Sequence, residues 1–320
     1  MDSLTQITLG AAVGAAVFGK THGRKAALIG AICGTIPDLD VFVPLGDPVS
    51  DFTYHRSVTH SLLFCVLATP LFVWLFSKIK WFGIDFKDRR AHVAIFLVFL
   101  THILLDAMTI YGTQLFWPLP SSPVGMGAIF IIDPLYTLPF LFFLIWFLIN
   151  RSHRAIMVGI VISTLYLGWT VAIQHHVKNI TRLQTEGAIL VQPTPFNTIL
   201  WRILVMHDDG YKVGYYSLFD QSQNIEFEYF QSDPSILPDT GSVDRLKWFT
   251  KGFYAVSKEG GNIIFSDLRM GMEPDQYVFR FIVNKTPVTN APEQRDMSRL
   301  GTLWGRMFRD ASWNEAVHMD

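Results

Sequence analysis

Long apolar runs fill the first half of this chain of 320 residues. A helix needs about 20 mostly apolar residues to span a bilayer. Runs at 62–79, 93–110 and 156–173 approach that length, and a fourth run at 135–149 is shorter but strongly apolar. In lipid, helices and closed barrels are the structures that satisfy every backbone polar group. The first half is therefore predicted to be a helical membrane bundle.

Two shorter segments at 7–18 and 26–36 precede these runs and are rich in glycine and alanine. Each holds a pair of glycines four residues apart, a spacing that lets two helices approach closely in lipid. We expect a tight hairpin that spans or re-enters the membrane, with peripheral helices as the alternative. The bundle then contains about six helices, of which the first two are short.

Lysine and arginine are distributed unevenly among the short loops. The loops at 20–25, 78–90 and 151–154 hold ten of these residues, whereas those at 37–60 and 111–133 hold one, Arg56. By the positive-inside rule the basic loops face the cytoplasm. Six crossings would then place the N-terminus and the C-terminal domain outside the cytoplasm.

Acidic and histidine residues occur at the ends of the apolar runs, where burial without a partner is costly. The orientation derived from Lys and Arg places all of them at the outer face. Mixed imidazole and carboxylate ligands suit zinc, manganese or iron better than calcium or magnesium. We predict one or two divalent ions, with zinc as the first choice, held by six ligands: Asp38, Asp40, His55, His60, His102 and Asp106.

Each of these groups of residues could also have a structural role that involves no metal. His102 and Asp106, four residues apart on one helix face, could form a buried hydrogen bond instead of a chelate. Asp38 and Asp40 could cap a helix after Pro37. Arg56 could anchor an anionic substrate through its bidentate fork, or could meet lipid headgroups. Thr59 or Ser57 could cap the helix that follows.

Other residue patterns exclude several functions. The net charge of −1 provides no basic field for nucleic acid. The sequence has no His-Glu-x-x-His, Gly-x-Ser-x-Gly or phosphate-binding loop motif, so a zincin protease, a serine hydrolase of that type and a P-loop enzyme are not predicted. The two cysteines, Cys33 and Cys65, lie in apolar segments and are interpreted as packing residues.

Several ordered motifs resemble those of the YdjM-type family, inner-membrane proteins described as LexA-regulated metal-dependent hydrolases. The matching stretches lie within about residues 1–180: Met1-Asp2-Ser3-Leu4-Thr5-Gln6, Ile36-Pro37-Asp38-Leu39-Asp40, His55-Arg56-Ser57-Val58-Thr59-His60-Ser61, Leu105-Asp106, Tyr111-Gly112-Thr113-Gln114 and Ile132-Asp133-Pro134-Leu135-Tyr136. The resemblance implies a metal site in a membrane protein. Several relatives carry His where this chain has Gln6, which argues against Asp2 and Gln6 as ligands here, although Gln6 could still bind a metal weakly.

The C-terminal half alternates apolar and polar residues with the period of strands. We predict a transmembrane domain over 1–178 and an α+β domain with an antiparallel sheet over 179–320, closed by a helix at 297–311. Asp208-Asp209-Gly210 and Gly260-Gly261 are predicted turns. The predicted strands are 187–191, 198–206, 212–218, 225–230, 253–256, 262–265 and 276–283.

Together these features predict a multi-pass bacterial inner-membrane hydrolase whose metal site faces outward and acts on a phosphoester or lipid-linked substrate. Asp40 or Asp133 would be the general base, and Arg56 would hold the anion. Membrane lipid is the expected partner, nucleic acid is not, and no protein partner is predicted. The alternatives are a non-catalytic metal-stabilised scaffold or sensor, whose outer domain binds a partner, and an ion-conducting transporter.

Overall fold

The computed structural model describes residues 1–292 and 299–308. The chain forms two compact units. The first contains Met1–Val43, Tyr54–Met126 and Ile131–Trp169. The second contains Pro44–Thr53, Gly127–Phe130 and the chain from Thr170 onward. The boundary that the sequence predicts at residue 178 stays a prediction.

The first unit is helical, and its last helix continues into the second unit. Short 3₁₀ segments at Pro37–Phe42 and Val58–His60 lie between the longer elements. The α-helices up to residue 182 are α1 (Ser3–His22), α2 (Arg24–Thr35), α3 (Pro48–Tyr54), α4 (Leu62–Lys78), α5 (Arg89–Met108), α6 (Pro134–Asn150) and α7 (His153–Arg182).

Two of these helices, α5 and α7, are long and apolar enough to cross a membrane. A third crossing is added if the stretch Pro48–His60 and α4, bent by 56° at a short break, counts as one span. Helix α6 is apolar but shorter. The predicted apolar helices of the first half are therefore confirmed, whereas six crossings stay a prediction.

Helices α1 and α2 pack closely through their glycines. A Cβ atom on Gly10 would lie 2.3 Å from the carbonyl oxygen of Gly30, and one on Gly30 would lie 2.1 Å from that of Gly10. No side chain fits at either position, so the backbones touch directly. The predicted tight hairpin is confirmed, and its first helix, with 20 residues, is longer than the apolar pattern indicated.

The second unit begins with an antiparallel sheet. It contains β1 (Ala188–Pro193), β2 (Leu200–His207), β3 (Gly210–Ser217) and β4 (Phe227–Gln231), in that order. Val177 and Ile180 of α7 pack on one face of the sheet. The other face packs against Leu268 and Tyr277 and against Leu303 and Met307 of a later helix. The central strands β2 and β3 are therefore buried along most of their length.

The remaining elements are α8 (Gly241–Thr250), β5 (Tyr254–Glu259), β6 (Asn262–Asp267), β7 (Gly271–Met272), β8 (Gln276–Tyr277), β9 (Arg280–Ile282), β10 (Thr289–Asn290) and α9 (Arg299–Phe308). Four of these strands form a second antiparallel sheet in the order β10-β9-β6-β5, and β7 and β8 form a two-stranded ribbon. The predicted turns before Gly210 and at Gly260-Gly261 both close hairpins.

Two predicted elements differ in extent. The predicted strand at 276–283 is two strands, because β8 folds back on β7 while β9 pairs with β6. The helix predicted at 297–311 is present as α9, and its predicted ends lie outside the described residues.

Two short segments that lie within the helical half of the sequence, Pro44–Thr53 and Gly127–Phe130, belong to the second unit. Residues 44–53 include most of α3, and Phe52 packs there against the rings of Phe249 and Phe281, at centroid distances of 4.7 and 5.3 Å. Arg245 donates to Ser50 Oγ at 3.2 Å. The chain that links Asp40 to His55 therefore passes through the second unit.

Candidate metal centre

Four of the predicted ligands lie together in the first unit. Asp38, His60, His102 and Asp106 each place one ligand atom within 4.8 Å of the other three. Pro37 begins the 3₁₀ segment that carries Asp38, the segment before α4 ends at His60, and the i to i+4 spacing on α5 aligns His102 with Asp106. Separate short elements thus converge on one point.

The distances among these atoms have the scale of a tetrahedral site. His60 Nε2 lies 3.4 Å from His102 Nε2, 3.4 Å from Asp38 Oδ1 and 3.2 Å from Asp106 Oδ2. His102 Nε2 lies 3.4 and 3.5 Å from the same two carboxylate atoms. Ligands about 2.0–2.1 Å from a tetrahedral zinc ion are separated by about 3.3–3.4 Å. Five of the six distances between pairs of ligand atoms therefore match that geometry.

The donor set also fits a divalent ion by its charge and its hydrogen bonding. Two carboxylates and two neutral imidazoles would neutralise a dication. Asp106 Oδ2 is buried and makes no hydrogen bond to a described residue, although a buried carboxylate oxygen normally has a partner. Its nearest neighbours are the two Nε2 atoms, so a cation between these atoms would satisfy it.

The backbone of α2 fixes the ring of His102. His102 Nδ1 lies 2.8 Å from the carbonyl oxygen of Gly34. A hydrogen bond from Nδ1–H leaves Nε2 with its lone pair directed at the cluster, the arrangement that metal-binding histidines usually have. Gly34 belongs to the glycine pair of α2, which predicted close helix packing and no part in the site.

Asp40 lies behind His60 and outside the four-atom cluster. Its Oδ2 lies 3.4 Å from His60 Nδ1 and accepts the Thr59 hydroxyl at 2.8 Å. Its Oδ1 lies 2.9 Å from His55 Nδ1. The structure thus brings the predicted ligands Asp40 and His55 beside the site, where they support His60.

The N-cap of α4 is Ser61, because the backbone N–H of Phe64 donates to its hydroxyl. The two residues that the sequence offered for this role, Thr59 and Ser57, do not cap the helix.

The histidines hold the two carboxyls of the 3₁₀ segment in their charged form. Burial raises the pKa of Asp38, but its close contacts with His102 and His60 outweigh burial and keep the pKa below its usual range. Burial likewise raises the pKa of Asp40, and its close contacts with His55 and His60 outweigh burial. Both groups are therefore anionic ligands or acceptors at neutral pH.

Three donors hold the other oxygen of Asp106. Asp106 Oδ1 accepts hydrogen bonds from the Met1 amino group and from Gln6 Nε2, the latter at 3.1 Å, and lies 3.4 Å from Arg56 Nη2. These contacts orient the carboxylate so that Oδ2 faces the histidines. Gln6 is the functional residue whose role the sequence left open, and it acts here through Asp106.

Arg56 is buried at the edge of the cluster with an unusual backbone. Its φ of 63° is a conformation that residues other than glycine rarely adopt. Its backbone N–H donates to Asp40 at 3.1 Å, and Nη1 donates to Thr109 at 3.2 Å. The guanidinium lies 5.2 Å from the ring centroid of Tyr111. Its Nε is buried without a hydrogen-bond partner among the described residues.

The structure does not bring Asp133 into the cluster. Its Oδ1 accepts the backbone N–H groups of Leu135 and Tyr136, and its Oδ2 accepts the Tyr166 hydroxyl at 2.9 Å. Burial raises the pKa of Asp133, and these hydrogen bonds oppose the rise. Its geometry is that of a cap at the start of α6, and its role as a general base stays a prediction.

Comparison with known proteins adds one match. The family model described as YdjM inner membrane protein matches residues 1–177, which include every residue of the cluster. No curated protein matches the chain, and no solved structure does.

Proposed function

The chain belongs to the YdjM inner membrane protein family, and from this premise we propose that it is a membrane-bound, metal-dependent hydrolase. Asp38, His60, His102 and Asp106 would hold the ion. The observation that carries the proposal is the spacing of 3.2–3.5 Å among their facing atoms. Zinc is the first choice, because two imidazoles and two carboxylates in a tetrahedral arrangement suit it best.

A divalent ion at such a site acidifies a water molecule and polarises a phosphoryl or carbonyl oxygen. The residues around it supply the rest of the chemistry. Arg56 has a buried Nε without a described partner, and a guanidinium binds phosphate through parallel hydrogen bonds. A phosphoester is therefore the substrate class that this site favours.

Proton transfer falls to the pair of His55 and Asp40. His55 Nδ1 lies 2.9 Å from Asp40 Oδ1, and both side chains are partly exposed. A carboxylate at Nδ1 fixes the tautomer of the ring and leaves Nε2 to accept or donate a proton. This proposal keeps Asp40 in the proton-transfer pair and gives Asp133 no part in it.

The substrate would reach the cluster at Asp38. Its side chain is 24% exposed, whereas those of His60 and Asp106 are fully buried. The same 3₁₀ segment presents Val41 and Phe42 to the surroundings, and Phe42 is 79% exposed. Apolar side chains beside the opening suit a lipid-linked phosphoester. The distribution of Lys and Arg supports an extracytoplasmic location for this face.

The second candidate is a metal-stabilised scaffold or sensor. The burial of three of the four ligands favours it, since structural metal sites are closed whereas catalytic ones keep an exchangeable position. The two functions differ in a measurable property, because only the enzyme turns over a phosphoester.

The test compares the detergent-purified wild type with His102→Ala, and with His175→Ala as a matched control. His175 is exposed on α7. Elemental analysis should find about one zinc, manganese or iron ion in the wild type and the control, and none in His102→Ala. Wild type and control should hydrolyse a phosphoester, and His102→Ala should not. Metal without turnover on a panel of phosphoesters would favour the scaffold; equal metal content in His102→Ala would refute the site.

A further inference from the structure

A second polar feature of the first unit is a cavity of about 720 Å³. Four cationic side chains line it, Lys20, Arg24, Lys25 and Arg151, and the lining includes no carboxylate. Trp81 and Phe147 add aromatic surface to its wall. Positive charge is therefore concentrated in a concave space that has room for a ligand.

The cavity and the metal cluster lie at opposite ends of the same helices. Gln6 and Gly34 contact the cluster, whereas Gly19 and Arg24 line the cavity. Gly19 comes thirteen positions after Gln6 on α1, about 20 Å at 1.5 Å per residue. The cavity is thus a separate site, and it would face the opposite side of a membrane.

No carboxylate among the described residues forms an ion pair with these four cations. Arg24 donates to the carbonyl oxygens of Leu148 and Ile149, and Lys25 donates to that of Trp81 and lies 4.9 Å from the Trp81 ring centroid. These partners carry no formal charge. The side chains of Lys20 and Arg151 make no hydrogen bond or ion pair with the described residues. The cationic groups are held in place but remain available to an anion.

The neighbouring basic loop also contains acidic residues. In the stretch 78–90 five cations are accompanied by two carboxylates, Asp85 and Asp88. The general preference for basic residues in cytoplasmic loops would produce basic residues both in the cavity and in the stretch 78–90. It does not account for a concave site with four cations and no acid.

We propose that this cavity binds a phosphate group, presented by the headgroup of an anionic phospholipid or as free phosphate. Lysine and arginine in a pocket between membrane helices recognise anionic headgroups, and Trp81 has the amphipathic ring that favours the interface between lipid and water. The proposal does not depend on hydrolase activity at the metal cluster.

The experiment measures lipid binding by native mass spectrometry on the full-length, detergent-purified chain. The probes are phosphatidylglycerol, phosphatidylcholine and inorganic phosphate. The test variant is Lys20→Gln/Arg151→Gln, whose side chains have no described partner, so its melting temperature should stay close to that of the wild type. The control is Lys80→Gln/Lys87→Gln, which removes the same charge from the neighbouring loop.

The wild type should bind phosphatidylglycerol at least about tenfold more tightly than phosphatidylcholine, since several basic residues would attract the anionic headgroup. The test variant should lose that preference, and the control should keep it within about twofold. Saturable binding of inorganic phosphate, lost in the test variant without any lipid preference, would identify free phosphate as the source. The proposal would be overturned if both variants lost binding equally. It would also be overturned if the wild type bound neither phosphatidylglycerol nor inorganic phosphate.

Discussion

His102 Nδ1 lies 2.8 Å from the carbonyl oxygen of Gly34, so a residue of α2 sets the ring orientation of a ligand on α5. Gly34 can occupy this position because it has no side chain. The metal cluster therefore depends on the close packing of the α1–α2 hairpin, although Asp38 is the one ligand that follows that hairpin directly.

Gly34→Ala should weaken metal binding. The new Cβ atom would lie 2.8 Å from the Gln6 carbonyl oxygen and 3.2 Å from Gly10 Cα, so the helices must separate. We expect a loss of stability of about 1–3 kcal/mol from overpacking, and a metal affinity about tenfold lower because the ring loses its acceptor. Isothermal titration with zinc and thermal unfolding measure the two effects.

Gly168→Ala is the control for this change. Gly168 lies in α7, and a Cβ atom added there would meet no described atom within 4 Å. Alanine should therefore leave metal affinity unchanged and stability equal or higher. Wild-type zinc affinity in Gly34→Ala would show that the carbonyl does not orient His102.

Asp40→Asn should weaken the metal site without removing it. Asp40 contacts the far nitrogen of His60, and loss of such a partner lowers metal affinity about 10–100-fold. Asp38→Asn, which alters one of the four facing atoms, should abolish stoichiometric binding. Zinc titration of both variants separates the two roles. Equal losses in the two variants would indicate that Asp40 is itself a ligand, as the sequence predicted.

Arg56→Lys should impair turnover while retaining the metal. Lysine keeps the charge but loses the planar fork, so we expect kcat/KM for a phosphoester to fall about 100-fold. Metal content should match the wild type because Arg56 supplies none of the four facing atoms and lysine keeps a positive charge beside Asp106. Arg154→Lys, on an exposed stretch of α7, provides the control. Unchanged kcat/KM would remove Arg56 from the proposed substrate contacts.

Alkaline pH should destabilise the second unit through three buried tyrosines. Burial, assisted by the negative charge of Glu273, raises the pKa of Tyr211, Tyr215 and Tyr277. Unfolded tyrosines lose their protons above pH of about 10, while these three keep theirs when folded. The unfolded state then binds fewer protons, so the stability contributed by these groups is complete below pH of about 10 and falls as pH rises. A spectrophotometric titration should show the three ionising only on unfolding; their titration in the folded protein would contradict this.

The clustered residues could be singled out from the sequence because their chemistry is costly in an apolar context. His102 and Asp106 stand four apart in a helix long and apolar enough to cross a membrane, and Asp38 follows a proline at the end of another helix. What the sequence could not distinguish was which residues face the centre of the cluster and which contact a clustered residue from behind. Asp38 and Asp40 are two residues apart, yet one faces the cluster and the other supports His60, since a 3₁₀ turn points them differently.

Contacts made by backbone atoms were not predictable from residue types. The Gly34 carbonyl has no signature in the sequence, and the small-residue pattern predicted only that α1 and α2 pack together. In the C-terminal half, the alternation predicted most strands correctly. It failed at 276–283, where β8 and β9 pair with different partners, because a periodic pattern does not identify the neighbour of a strand.

The path of residues 44–53 has a consequence for the independence of the two halves. A chain shortened to end at residue 178 would retain Val49 and Phe52, both almost fully buried, but would lack the rings of Phe249 and Phe281 that cover Phe52. Those apolar side chains would face water and promote aggregation. The membrane half is therefore not a module that can be excised by truncation, and a stand-alone version would need a redesigned loop between Asp40 and His55.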